Sequence, residues 1–209
     1  MAIGGLNGFV STEVQNSTSV LRLKFSAKNP AHRQYAARCL TLKDDNRMNK
    51  VPIGLKRVAT LCILRNKDKF LLLKRFKEPN KDNFTPVGGK LDPFESPLKS
   101  AIRETFEETG IKVDTMKYCG ILTETSPTEY NWTGYVYIAD IDFVEPPKCN
   151  EGILMWINFD DLLDVPTPKT DWYIYKYILD NKPFAFSAEY DDDLNILSMT
   201  EEIENKVII

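Results

Sequence analysis

Residues 89–111 read GKLDPFESPLKSAIRETFEETGI, and this stretch decides both the fold and the chemistry of the chain. Residues three and four positions apart are neighbours on a helix, so Glu104, Glu107 and Glu108 are predicted to share one face. Three like charges that repel each other on one helical turn indicate a site for a cation. Carboxylate oxygens are hard ligands that suit Mg²⁺ or Mn²⁺, and these ions in turn bind phosphates.

The same stretch carries signals for both ends of a helix. Ser96 precedes Pro97, which is the pattern of a hydroxyl N-cap followed by proline at the first helical position. Gly110 favours a helix end, because glycine adopts the left-handed C-terminal conformation without steric cost. Between these ends the residues at helical spacing form the predicted core stripe: Leu98, Ala101, Ile102, Thr105 and Thr109.

Arg103 is predicted to fix the carboxylates around it. It lies one helical turn before Glu107 and is expected to reach both that residue and Glu95. A solvated acidic helix face with a single ion pair is the alternative explanation of these charges. The glycine turn at the start of the stretch, together with the positions of Glu95 and Gly110, favours a site over that alternative.

The chain on either side of this helix is predicted to form a sheet. Val58–Leu64 and Phe70–Arg75 are apolar runs around a polar turn, which predicts a β-hairpin. Further strands are predicted at 118–123, 132–143, 154–158, 184–187 and 194–199, with a helical turn at 160–163 and a second helix at 170–179. Helices interleaved with strands indicate the α/β class, in which helices cover both faces of a mixed sheet.

The spacing within residues 89–111 matches the Nudix box at every charged and glycine position, and residues 53–200 resemble Nudix hydrolases. Thr105 departs from the pattern, because the family usually has a bulky aliphatic residue there. Its hydroxyl is expected to bond back to a carbonyl one turn earlier. The resemblance implies an α/β/α sandwich with a mixed sheet. It also implies attack of water on a nucleoside diphosphate linked to another group, with Mg²⁺ as cofactor and Mn²⁺ as a substitute.

The resemblance assigns roles by position. It implies that Glu104, Glu107 and Glu108 are metal ligands and catalytic residues. It also implies that the Gly88 carbonyl is a further metal ligand, and that Arg103 with Glu95 orients the ligands.

A second resemblance lies downstream of the box. Glu151–Trp156 is similar to a stretch of MutT-type 8-oxo-dGTP diphosphatases, in which an acidic residue five positions before a tryptophan approaches the metals and helps to activate water. Glu151 takes that catalytic and metal-binding role here by resemblance. The alternative is an ordinary loop carboxylate.

Contacts to the phosphates and the base are predicted at seven positions. Lys90 follows the glycine turn, and Lys74 and Arg75 end a strand near it, so these cations are expected to meet phosphates. A solvated strand end is the alternative for the latter two. The tail resembles the vertebrate oxidised-purine enzyme, which implies base contacts from Phe84, Thr85, Asp171 and Trp172. Thr85 stands where that enzyme has an amide side chain.

Composition narrows the class of protein. A length of 209 residues fits one domain with a modest extension, and 43% hydrophobic residues support a core. The net charge of −3 indicates neither a nucleic-acid polymer nor a membrane as partner, and no apolar run approaches the roughly 18 residues of a membrane span. The four scattered cysteines are typical of a reduced intracellular protein, so the cytoplasm is the expected compartment.

Residues 1–50 are predicted to be a basic extension of a Nudix domain at 51–209. They hold eight Lys and Arg against three acids, a net of +5, whereas the remainder holds 19 against 27, a net of −8. Four interpretations stay open: an irregular extension, a misplaced start with Met48 as the first residue, a short strand at Val20–Phe25, and an organellar transit peptide.

These observations together predict a Mg²⁺-dependent nucleoside triphosphate pyrophosphohydrolase. Its expected substrates are oxidised purine nucleotides such as 8-oxo-dGTP, which it would convert to the monophosphate and pyrophosphate. The alternative substrates are ADP-ribose, a dinucleoside polyphosphate or an RNA cap. A catalytically dead nucleotide-sensing module is a third hypothesis, against which the intact glutamates of the box argue.

Overall fold

The computed structural model describes residues 52–209, which belong to one compact unit. The predictions for residues 1–50 lie outside the described residues. The described strands are β1 (Arg57–Asn66), β2 (Lys69–Arg75), β3 (Phe84–Thr85), β4 (Lys117–Thr125), β5 (Trp132–Asp140), β6 (Gly152–Asn158), β7 (Phe184–Tyr190), β8 (Ile196–Glu201) and β9 (Lys206–Val207). The helices are α1 (Pro97–Thr109) and α2 (Lys169–Leu179), and a 3₁₀ turn covers Phe159–Asp161. Within 52–209, no helix is long and apolar enough to cross a membrane.

These strands form one mixed sheet in the order β3-β2-β1-β5-β4-β7-β8-β9, with β6 paired to β2. The predicted hairpin is confirmed, since β1 and β2 are antiparallel. The pairs β1–β5 and β4–β7 are parallel. The glycine turn runs beside β1, where the N–H of Thr60 donates to Gly89 O at 2.8 Å and that of Cys62 donates to Val87 O at 2.7 Å.

The two helices cover opposite faces of the sheet, so the predicted α/β/α sandwich is confirmed. Ala101 of α1 packs into a cluster with Cys62 and Leu71 on one face. Ile174 and Tyr175 of α2 pack into the cluster on the other face. The strands contribute to both clusters, because successive side chains of a strand point to opposite faces of the sheet.

The boundaries of α1 agree with the sequence, but its buried face is different. Gly110 ends the helix in the left-handed conformation at φ 70°, and its N–H donates to the carbonyl of Phe106 at 2.7 Å. Ser96 is the N-cap residue, yet its side chain makes no capping hydrogen bond. Ser100 is fully buried whereas Leu98 is 36% exposed, so the predicted stripe was wrong at its first residue.

Thr105 also differs from the expectation. Its hydroxyl lies 3.9 Å from the sulfur of Met116 rather than bonding back to a carbonyl of the preceding turn. The back-bonding hydroxyl belongs instead to Thr109, which donates to the Thr105 carbonyl at 2.5 Å. The departure from the family pattern is therefore accommodated by packing against a polarisable thioether.

Candidate active site

Two consecutive glycines shape the turn that leads into α1. Gly88 has φ +144°, and a Cβ there would lie 2.1 Å from the carbonyl oxygen of Thr60. A Cβ at Gly89 would lie 2.5 Å from the carboxylate of Glu104. The first glycine therefore lets the turn approach the backbone of β1, and the second leaves room for a predicted metal ligand.

Arg103 is the centre of an ion-pair network. Its Nε and Nη2 donate to Glu95 at 3.0 and 2.8 Å. Its Nη1 donates to Glu104 at 2.7 Å and to Glu107 at 2.9 Å, and its Nη2 also reaches the carbonyl of Lys90 at 3.1 Å. The predicted contacts with Glu95 and Glu107 are thus present. This guanidinium holds the pKa of Glu95 down at about 2, so Glu95 stays ionised and keeps Arg103 in place.

Glu108 lies deeper than the other glutamates of the box. It accepts a hydrogen bond from the N–H of Gly88 at 3.1 Å. Burial, together with the nearby charges of Glu151 and Glu104, raises its pKa to about 7, although the hydrogen bond from Gly88 acts in the opposite direction. Burial likewise raises the pKa of Glu104. These carboxylates repel each other, and a bound cation would relieve that repulsion.

The donor set fits Mg²⁺, although the side chains are not arranged around an ion. No three acidic, histidine or cysteine side chains converge into a ready-made metal site in the described part of the chain. The reason is local, because Arg103 draws Glu104 and Glu107 towards itself. Carboxylate and carbonyl oxygens are nevertheless the ligands that Mg²⁺ prefers.

The structure brings Glu151 and Arg75 to this cluster. Glu151 precedes β6 and is exposed, and it lies close enough to Glu108 to raise that residue's pKa. Arg75 donates to the carbonyl of Pro79 at 3.1 Å. It also interacts electrostatically with both Glu108 and Asp171.

The two predicted phosphate-binding lysines lie at the margins of the cluster. The Lys90 Nζ is 6.0 Å from the centre of the Trp132 ring. Lys74 lies at the end of β2, where it pairs with Phe84 of β3. Within residues 52–209, neither lysine forms an ion pair. Both remain available to an anionic ligand.

The predicted base contacts are dispersed. Phe84 is 6% exposed and packs in the core on the α2 face. Its neighbour Thr85 pairs with Leu73, which belongs to the α1 face, so the two side chains of β3 point in opposite directions. The hydroxyl of Thr85 is buried and has no hydrogen-bond partner among residues 52–209.

Asp171 and Trp172 are adjacent in sequence but lie on different sides of α2. Asp171 is 6% exposed and faces the sheet. Trp172 contacts Lys176, whose Nζ lies 5.3 Å from its ring centre, and it meets the ring of Tyr173 edge-on. Neighbouring helical residues point about 100° apart, so the structure does not bring these two predicted base contacts together.

Sequence reasoning missed a buried polar group beside Asp171. Glu124 is 8% exposed and accepts from the hydroxyl of Tyr190 at 2.7 Å. Tyr130 contacts the same carboxylate at 3.2 Å. The signal was present in β4, where Leu122 and Glu124 alternate inward, but the strand was predicted to end at position 123.

Comparison with known proteins agrees with this geometry. The NUDIX domain family matches residues 55–180, which is more than half of the chain. The chain belongs to the Nudix family. Nudix hydrolases act on phosphoanhydride bonds of nucleotide derivatives, and this Nudix enzyme does the same. The family generally needs divalent metal ions, typically Mg²⁺.

Three relatives illustrate the range of this Nudix family. The uncharacterized Nudix hydrolase YvcI of Bacillus subtilis is 28% identical over 147 residues, which are 66% of this chain and 90% of that protein. The oxidized purine nucleoside triphosphate hydrolase of Mus musculus is 24% identical over 70% of this chain and 94% of its own length. The human diphosphoinositol polyphosphate phosphohydrolase NUDT4B is 31% identical, but over 41% of this chain and 46% of that protein.

A solved structure supports the same Nudix fold. The crystal structure of a MutT protein from Bacillus halodurans superposes with a TM-score of 0.63 at 27% identity. The match covers 70% of this chain and 98% of that protein.

Proposed function

We propose that the enzyme is a Mg²⁺-dependent nucleoside triphosphate pyrophosphohydrolase that acts on oxidised purine nucleotides such as 8-oxo-dGTP. The observation that carries the proposal is the position of Arg75, which interacts with Glu108 of the carboxylate cluster and with Asp171 of α2. A nucleotide needs both groups of residues, because its phosphates bind at a metal site and its base needs polar hydrogen-bond partners. The similarity to the mouse enzyme along 94% of that enzyme's length supports the assignment.

The residues of the box have separate tasks in this proposal. Glu104, Glu107 and Glu108 would hold the metal together with the Gly88 carbonyl. Bound divalent ions neutralise phosphate charge and lower the pKa of a bound water. Glu151 lies next to Glu108 and accepts the proton of the attacking water. The water oxygen bonds to a phosphorus as the phosphoanhydride bond between the α- and β-phosphates breaks, and the products are the nucleoside monophosphate and pyrophosphate.

The basic residues and Asp171 would position the substrate. Lys90 and Lys74 have no ion-pair partner within the described chain and meet the phosphates as point charges. Asp171 binds the edge of the base, remote from the reacting phosphorus. Asp171→Ala is therefore expected to raise KM for 8-oxo-dGTP much more than it lowers kcat.

The decisive experiment is a substrate panel with Mg²⁺ and purified protein. It compares 8-oxo-dGTP and dGTP with ADP-ribose, a diadenosine polyphosphate and a diphosphoinositol polyphosphate. The proposal expects the highest kcat/KM on 8-oxo-dGTP, with pyrophosphate rather than phosphate released. Hydrolysis of one of the other compounds, with no turnover of either triphosphate, would overturn it. Glu108→Gln serves as the control for a contaminating hydrolase.

A second candidate is a more heavily phosphorylated substrate. The local identity of 31% to a human diphosphoinositol polyphosphate phosphohydrolase favours this class. It is the weaker candidate, because the similarity spans less than half of either chain. The same panel distinguishes the two.

A further inference from the structure

Glu124 is a buried carboxylate outside the Nudix box. It lies near the end of β4, on the face of the sheet that α2 covers, and is 8% exposed. The hydroxyl of Tyr190 donates to its Oε1 at 2.7 Å, and the hydroxyl of Tyr130 lies 3.2 Å from its Oε2. The two tyrosines hold the carboxylate in one orientation, but neither supplies a positive charge.

Asp171 is a second buried carboxyl close to the first. It lies in the first turn of α2, is 6% exposed, and accepts no hydrogen bond from residues 52–209. Burial and the charge of Glu124 together raise its pKa. A carboxyl that loses most of its hydration on folding costs free energy unless donors replace the water. The N–H groups of a ligand would be such donors.

The hydroxyl of Tyr175 is an independent sign of a polar ligand. The residue is 1% exposed, and its buried hydroxyl makes no well-aligned hydrogen bond within residues 52–209, although the hydroxyl of Thr167 lies close enough to oppose the rise that burial causes in its pKa. The nearby hydroxyl of Thr167 donates to the carbonyl of Phe84 at 2.7 Å instead. Tyr175 follows Asp171 by one helical turn, and the two groups interact electrostatically. A buried hydroxyl without a well-aligned partner and a buried carboxyl therefore lie close to each other on successive turns of α2.

Positive charge compensates this pair only in part, because Lys56 acts on Glu124 and Arg75 acts on Asp171 without forming an ion pair with either carboxyl within residues 52–209. Lys56 donates to the backbone carbonyl of Glu124 at 3.0 Å and to Thr125 at 2.6 Å, not to the carboxylate. Arg75 interacts with Asp171 but is shared with Glu108. Since Arg75 lies near both, a nucleotide with its phosphates at Glu108 would place its base towards the two buried carboxyls.

We propose that Glu124 is a specificity-determining residue that, together with Asp171, binds the Watson–Crick edge of a guanine-type base. Asp171 accepts from the ring N–H, and Glu124 accepts from the adjacent 2-amino group. Guanine-type bases present two neighbouring donors there, whereas adenine presents an acceptor beside its amino group and hypoxanthine lacks the amino group. Glu124 thus selects the guanine class whatever the oxidation state of the base. This inference rests on the proposed function.

The test compares GTP with ITP, which differ by the 2-amino group. Wild type is expected to prefer GTP by about tenfold or more in kcat/KM, the size of one charge-assisted hydrogen bond. Glu124→Leu should lose most of that preference while ITP turnover changes little, and Glu124→Gln, whose amide oxygen can still accept, should lose only the part that depends on charge. Asp171→Asn should lower kcat/KM on both nucleotides. A preference that persists in folded Glu124→Leu, or no preference in wild type, overturns the role.

Glu201→Gln is the matched control. Glu201 is also fully buried, but it accepts from the backbone N–H groups of Ala185, Ile203 and Glu204 at 2.8–3.1 Å, so it caps a turn. This variant should keep the GTP preference whatever its melting temperature.

Calorimetric binding of GMP and IMP separates the inference from the proposed function. If no triphosphate is hydrolysed, the proposed function fails, yet tighter binding of GMP that Glu124→Leu abolishes would still support the carboxyl pocket. If triphosphates are hydrolysed but GMP and IMP bind wild type equally, the role of Glu124 fails and the proposed function stands.

Discussion

Arg103 binds Glu95 through two nitrogens, with Nε at 3.0 Å and Nη2 at 2.8 Å from the two carboxylate oxygens. This paired contact joins the second turn of α1 to the loop that precedes the helix. It leaves Nη1 for Glu104 and Glu107. Glu95 therefore determines where Arg103 points, and Arg103 determines where two predicted metal ligands point.

Arg103→Lys should abolish this arrangement, because a lysine is a single point charge and cannot match a carboxylate with two donors. The pKa of Glu95 is lowered from 4.5 to about 2 by Arg103. The ion pair thus stabilises the fold above about pH 4.5, and this stabilisation disappears as the pH falls towards 2. Denaturant unfolding should show that wild type has a larger free energy of unfolding than Arg103→Lys at neutral pH, and that this difference disappears in acid. A difference in the free energy of unfolding that stays constant with pH would contradict the role of the Arg103–Glu95 ion pair.

Glu108→Gln is expected to abolish turnover while leaving the fold intact. The substitution keeps the size and polarity of the side chain but removes a charge from the proposed metal cluster. Loss of a metal-activated water should lower kcat by several orders of magnitude. Circular dichroism and steady-state kinetics check the two halves of this prediction, with the exposed Glu202→Gln as control. Activity within about tenfold of wild type, or about 1.4 kcal/mol, would remove Glu108 from the site.

The two glycines of the turn should respond differently to alanine. Gly89→Ala places a Cβ 2.5 Å from the Glu104 carboxylate, which is the flexible end of a side chain, so we expect a folded protein with strongly reduced kcat. Gly88→Ala places its Cβ 2.1 Å from a backbone carbonyl at φ +144°, so we expect loss of stability. Gly54→Ala, at φ +80° with no atom within 4 Å, measures backbone strain alone. Equal losses of melting temperature in Gly88→Ala and Gly89→Ala would contradict this prediction.

Asp171 makes the stability of the fold depend on pH. Burial raises the pKa of its carboxyl from 3.8 to about 8, so between these values the folded protein keeps a proton that the unfolded chain has lost. The free energy of unfolding should fall as pH rises across this window, by up to about 1.4 kcal/mol per pH unit. Asp171→Asn should remove this pH dependence, so the stability of the variant should increase relative to that of wild type as pH rises. Parallel urea-unfolding curves between about pH 5 and pH 8 would show that the carboxyl is not buried.

Residues 1–47 are expected to be dispensable for catalysis. Their composition differs from that of the remainder, and the box, the hairpin and the tail all follow them. A truncated chain that begins at Met48 should be soluble and should retain metal-dependent hydrolysis. Insolubility or loss of activity would place the segment within the fold or in a contact between subunits.

The sequence by itself determined the chemistry of the box and the class of the fold. The box is local, because its charged residues lie within 23 positions and helical geometry alone places Glu104, Glu107 and Glu108 on adjacent turns. The two periodicities of helix and strand likewise predicted the hairpin and both helices. These features depend on neighbours in sequence, which a single chain displays directly.

Tertiary structure alone decided the surroundings of Asp171. Glu124 lies 47 positions before it and Tyr190 lies 19 positions after it, and the parallel pairing of β4 with β7 brings their strands together. Helix rotation separated Asp171 from Trp172, although the two are adjacent in the chain. Burial depends on which distant elements pack against a residue. The residue types therefore showed which groups can titrate, but not which carboxyl groups are buried.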